Sequence, residues 1–209
     1  VLNDWAKISA GITYANSFAN EKANGNVFYS PINSINITNN IYDIRQRDAN
    51  GNLLGVEPSR VNPLSTIEDM NFTQRVSRTV NDIQLNLTPV KGLGIDWIIG
   101  VDNYSQTGKG LIERYPYATP AYGLPPERYP NGYASSASNS VLLLNSDLNI
   151  SYETQLTDDI KLNAIVGANY QYQRAEYQLA TGQTLAPFIE TVSGASTNIT
   201  AAYSLDQYN

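Results

Sequence analysis

Residues 141–178, VLLLNSDLNISYETQLTDDIKLNAIVGANYQYQRAEYQ, hold two long stretches that alternate apolar with polar across a break at Thr157-Asp158-Asp159. Successive side chains of a strand point to opposite faces, so this pattern describes two half-oily strands joined by a tight turn. In the first, Leu142, Leu144, Leu148, Ile150, Tyr152 and Leu156 share a face opposite Asn145, Asp147, Asn149, Ser151 and Glu153. In the second, Leu162, Ala164, Val166, Ala168, Tyr170 and Tyr172 oppose Asn163, Gly167, Asn169, Gln171 and Gln173. Strands of soluble sandwiches usually run about 5–6 residues. These are far longer, and a strand needs about 9–11 residues to cross a bilayer.

The same period recurs upstream. In KISAGITYANSF, Ile8, Ala10, Ile12, Tyr14 and Phe18 alternate with polar or small residues. Between Val76 and Thr88, Ile83, Leu85 and Leu87 oppose Asp82, Gln84, Asn86 and Thr88. In IDWIIGVDNYS, Ile95, Trp97, Ile99 and Val101 oppose Asp96, Gly100 and Asp102. Residues 196–204 carry a weaker sixth strand pattern. No apolar stripe of helical period with caps stands out, so the expected class is all-β.

Connections of two kinds alternate along the chain. Residues 19–75, 106–140 and 177–195 read as long irregular loops, and 89–94 and 157–159 as short breaks. In an antiparallel meander, alternate connections share an end of the sheet, so every long loop is expected on one side. Loops this long are uncommon in compact domains unless they are functional. Outer-membrane barrels show this asymmetry, with long external loops and short periplasmic turns. Gly92 and Gly94 mark a turn and no phosphate cradle, because no helix follows them.

Composition narrows the chemistry. The chain has neither His nor Cys, which removes Ser-His and Cys-His catalysis, disulfides and the usual zinc sites. Its formal charge of -6 disfavours nucleic-acid binding. Only 15% of residues are charged, and polarity comes instead from amides and hydroxyls, with 24 Asn. An amide-rich polar face suits a water-filled or plugged lumen, whereas a soluble surface favours Lys and Glu. Tyr and Trp toward strand ends (Trp5, Tyr14, Trp97, Tyr104, Tyr170, Tyr172) suit the headgroup level of a membrane. No run approaches the ~18 apolar residues of a membrane helix. The expected lipid-facing set is therefore Trp97, Leu148, Ile150, Val166 and Tyr170, and the lumen-facing set Asp96, Asp102, Asp147, Asn149 and Asn169. A soluble sandwich or β-solenoid remains the alternative fold. Known bacterial barrels start at about 8 strands, so five or six strands are expected to be an interior part of a larger barrel.

Several phrases carry a family resemblance: Asn62-Pro63 followed by Arg75-Val76, then GIDWIIGVDNYSQ, LLLNSDLNISYETQLTDDIKLNAIVGANY and LAPFIETVSGA. In order and spacing they resemble the SusC/RagA family of TonB-dependent outer-membrane importers of Bacteroidetes, across essentially the whole chain. The resemblance implies that residues 1–209 are part of a 22-stranded barrel, with the plug, TonB-contacting box and signal peptide without counterpart here. It further implies import of glycans or peptides with a SusD-like surface lipoprotein, energised by TonB through the absent N-terminal region. Neither catalysis nor a cofactor or metal is expected. A passive porin and a secreted carbohydrate-binding sandwich are the rival functions.

For contact with substrate or partner, the expected segment is ERYPYATPAYGLPPERYPNGYASS (113–136). Tyr115, Tyr117, Tyr122, Tyr129 and Tyr133 offer stacking faces with a hydroxyl, Arg114 and Arg128 add charge, and the prolines stiffen the loop. The strand carboxylates Asp82, Asp96, Asp102 and Asp147 are expected to bond neighbours, plug or water, and Asp158-Asp159 to form a turn.

Overall fold

A computed structural model describes residues 3–27, 29–49, 51–56, 62–114 and 131–209. Six strands pair in sequence order as one antiparallel meander: β1 (Ala6–Glu21), β2 (Met70–Val90), β3 (Leu93–Ile112), β4 (Tyr133–Thr157), β5 (Ile160–Leu185) and β6 (Ala195–Tyr208). The all-β expectation stands. So does the alternation of connections, which puts 22–69, 113–132 and 186–194 at one end and the two tight turns at the other.

The strands outrun their periodic segments. β4 has 25 residues and β5 has 26, on the order of 85 Å for the longer at about 3.3 Å per residue. The tracts expected as loops at 70–75, 106–112, 133–140 and 177–185 are strand instead, and β6 runs beyond 196–204 at both ends. Both turns are tighter than expected, with Val90 paired to Leu93 and Thr157 to Ile160. Gly92 takes φ +85 in the first turn, and its carbonyl accepts the Glu153 N–H at 2.7 Å. A Cβ there would sit 3.3 Å from the Glu153 carbonyl carbon, so both backbone and space call for glycine.

Two short helices depart from the strand-only expectation: α1 (Pro31–Ile37) and α2 (Ser65–Glu68). Capping makes α1 without an amphipathic stripe. Ser30 accepts the Asn33 N–H, Pro31 supplies a preset φ, and Thr38 returns its N–H and hydroxyl to the Ser34 carbonyl.

No second layer covers the sheet among the described residues. The molecule exposes 13494 Å², where a compact 23.0 kDa protein exposes about 9,600 Å². Val166, 71% exposed, typifies the uncovered apolar side chains. The buried residues gather at the long-loop end, where Met70 and Ile112 pack with Tyr29, Phe72 and Tyr133.

Candidate functional site

Register fixes which side chains share a face. Leu85 pairs with Trp97, Trp97 with Leu148, and Leu148 with Ala168. Ile95, Ile150 and Val166 lie one step along, and Tyr170 opposite Ser146. Trp97, Leu148, Ile150, Val166 and Tyr170 thus stand on one continuous apolar face. Asp96 pairs with Asn149, and Asp147 with Asn169, on the opposite amide face together with Asp102. The separation is incomplete: Ile98, Leu143 and Ile165 stand among the amides.

On the apolar face of β2 to β5 the oily residues thin out near one register line, whereas on β1 and β6 Phe18, Tyr203 and Leu205 continue beyond it. Asn81, Val101, Leu144 and Tyr172 are register neighbours across four strands, and one step further are Thr79, Asn103, Leu142 and Arg174. Below this line toward the tight turns lie mainly Leu, Ile, Val and Trp; above it the same face of β2 to β5 carries mainly Ser, Thr, Asn and a few charges, with Leu142 and Leu111 as exceptions. Tyr14 pairs with Thr79 one step beyond the line, and its hydroxyl takes hydrogen bonds from Asn16 (3.0 Å) and Ser77 (3.3 Å). Within the band, the Trp97 indole N–H donates to the Ser146 hydroxyl at 2.9 Å. That contact gives a partner to the one polar side chain between Leu144 and Leu148 on this face.

The amide face is cross-linked. Arg78 donates to both Asp102 oxygens, at 2.9 and 2.5 Å. Asn86 donates to Asp96, and Asn145 and Asn169 both donate to Asp147, with Asn169 also reaching Asn145 at 3.0 Å. Asp96, Asp102 and Asp147 are therefore tied to neighbours by geometry that holds a polar wall. Gly11 faces Asp82, and Gly167 faces Asn149, so several of the larger polar groups have a small residue opposite. No group of acidic side chains among the described residues has a metal-binding arrangement.

At the long-loop end a cap folds over the amide side, because Met70, Phe72, Ile112 and Tyr133 share that face's register. Gly110 opposite Phe72 leaves room for its ring, which a Cβ would approach to 2.8 Å. Asn62 pins the cap: 2% exposed, it donates to the Ile44 and Leu54 carbonyls at 2.9 and 2.8 Å and accepts the Leu64 N–H. Lys22 donates to the Ile67 and Met70 carbonyls, and Arg47 holds Glu68 through two contacts at 2.9 and 3.0 Å. Burial pushes the Asp69 carboxyl above the usual range, with the Glu68 charge adding to it. Glu113 is raised likewise by burial, then by Glu190 and Asp69.

Of the Tyr-rich segment, Tyr115, Tyr117, Tyr122, Tyr129 and Arg128 lie outside the described residues. Arg114 is exposed just beyond β3, while Tyr133 begins β4 half-buried against the Met70–Ile112 pair. Tyr133 therefore supports the cap from within. Apolar groups presented at this end include Ile32, Ile41 at 77% exposure, and Phe188, fully exposed with a left-handed φ of 65. Sequence reasoning missed Phe188, Asn62's pinning role and the Arg78 partner of Asp102. Phe188 lies in the quoted LAPFIE phrase, yet nothing local signals its backbone or exposure.

No known family profile matches the chain, and no curated protein sequence does. Solved structures do. Chains of the RagAB peptide transporter match at TM-score 0.70 with 13% identity, covering 99% of this chain. The RagAB peptide importer matches at 0.69 in its closed-closed state (15% identity, 100% covered) and at 0.69 in its open-open state (16% identity, 99% covered). This chain spans 23% of each matched chain. The fold is thus that of a segment of those transporter chains.

Proposed function

We propose that this chain forms part of the wall of a SusC-like, TonB-dependent importer barrel in the bacterial outer membrane. The observation that carries this reading is the single line at which the apolar face turns polar across β2 to β5, with an amide face behind it. A bilayer ends the oily stretch of each strand that crosses it; a soluble sheet has no cause for such an end. A secreted sandwich needs a second sheet facing the first, and the described residues form one sheet.

In this reading Trp97, Leu148, Ile150, Val166 and Tyr170 meet lipid. Asp96, Asp102, Asp147, Asn149 and Asn169 line the lumen, and all but Asn149 bond neighbouring side chains, so that the wall stays fixed while a plug moves past. β1 and β6 each carry one unpaired edge, which lipid does not tolerate, so further strands close the barrel. The loops face outside, where Ile32, Ile41 and Phe188 suit a surface lipoprotein, and the Tyr-rich segment with Arg114 and Arg128 suits a peptide or glycan. The chain has no catalytic role.

Uptake of labelled oligopeptides and oligosaccharides by cells carrying the full-length protein tests the proposal. Accumulation of either class that stops when TonB is deleted supports a coupled importer. Accumulation that survives the deletion places the protein with passive pores.

A further inference from the structure

The balance of strand charge differs between the two faces. Asp82, Asp96, Asp102 and Asp147 all stand on the amide face, in keeping with a chain whose formal charge is -6. The opposite face reverses the sign: within the strands its charged residues are Arg75, Lys109 and Arg174 against Glu176 alone. All four lie at or above the line where the oily band ends. Arg174 already holds Glu176 at 3.1 Å. Arg75 and Lys109 make no ion pair among the described residues.

These two cations form a block. Arg75 pairs with Thr107, and Thr73 pairs with Lys109, so two cations and two hydroxyl residues occupy adjacent positions on one exposed face. Diagonal neighbours of this kind lie about 7–8 Å apart, within the combined span of two long side chains. Phe18, the register partner of Arg75 on β1, holds the guanidinium 6.0 Å above its ring.

Height identifies the anion's carrier. Arg75 is six positions beyond Asn81, about 20 Å along the strand and about 14 Å along the membrane normal at a tilt near 45°. An ordinary headgroup layer adds only about 5–8 Å to each side of the hydrocarbon. Between the oily band and the cations the face is Asn81, Thr79, Ser77, Asn103 and Ser105, a run of amides and hydroxyls suited to sugar. We infer that Arg75 and Lys109, with Thr73 and Thr107, clamp a phosphate borne on the saccharide headgroup of a glycolipid in the outer leaflet. The inference rests on the membrane-wall reading above.

The test uses the full-length protein in phosphatidylcholine nanodiscs doped with rough lipopolysaccharide whose core sugars are phosphorylated, with bound lipid counted by native mass spectrometry. R75Q/K109Q should retain about tenfold less of this lipid than the wild type, the equivalent of one charge-assisted contact. Lys7→Gln, a cation of the amide face, should change nothing. The dephosphorylated lipid should not distinguish wild type from double variant, and neither phosphatidic acid nor inorganic phosphate should displace the intact lipid. Equal retention by the double variant, in protein that inserts normally, overturns the clamp alone. Displacement by phosphatidic acid or phosphate overturns the glycolipid as its ligand. Failure of wild type and variant alike to enter neutral nanodiscs overturns the membrane reading together with the clamp.

Discussion

Asn62 and Asp69 show how single side chains hold the loop cap, and they do so by opposite means. Asn62 satisfies two carbonyls from separate passes of the loop while almost wholly buried. Asn62→Ala strands both, at about 1–3 kcal/mol for each carbonyl left without a partner. Faster limited proteolysis within 44–69 measures the loss, and Asn62→Asp, which keeps the shape but not the donors, should behave like the alanine. Asp69 instead carries a burial cost. Its carboxyl is held above the ordinary value, so the folded state binds its proton more tightly than the unfolded chain does. The favourable contribution is complete below the unfolded pKa and is lost as pH rises through the folded one. Asp69→Asn should accordingly raise cap stability near neutral pH, with the gain fading as the pH falls to about 4. Thermal melts of the two proteins at both pH values check the sign, and a gain that grows on acidification would reverse it.

At the scale of strands, the two faces should tolerate charge unequally. Leu148→Arg and Val166→Arg place a cation in the middle of the oily band and should cost about 2–4 kcal/mol each. Asn149→Arg and Asn169→Arg, on the opposite face, should be mild. Unfolding titrations of the full-length protein in liposomes measure the difference. The turn-side halves of β4 and β5 are legible in sequence because one face there is apolar and the other amide-rich, which writes the period of two. Their upper halves are not. In YASSASNS (133–140) both faces are small or polar, so the alternation vanishes and strand looks like loop. α1 escapes for another reason: its seven residues are fixed by the Ser30-Pro31 start and the Thr38 return, with no oily stripe to announce them. The amide face was legible as residue types, whereas its pairing was not. Arg78 meets Asp102 only because β2 and β3 align Val80 with Asp102.

For the whole molecule, the proposed bilayer-sized band would join features that look unrelated one at a time. They are a six-stranded sheet with no second layer among the described residues, the indole bonded to Ser146, and Tyr14 with its hydroxyl turned to Asn16 and Ser77. In that proposal the loop core, which sits on the amide face, is on the lumen side. The absence of cysteine in these residues makes the central claim directly measurable. In the full-length protein cleared of any cysteine outside this chain, single spin labels placed in turn at each position of β5 from 162 to 178 can be read in liposomes. Collision with oxygen, which concentrates in hydrocarbon, should peak at every even position up to Tyr172 and collapse from Arg174 onward, where a water-soluble relaxant takes over. Equal access of the water-soluble relaxant to Val166 and Asn169 would contradict the membrane wall.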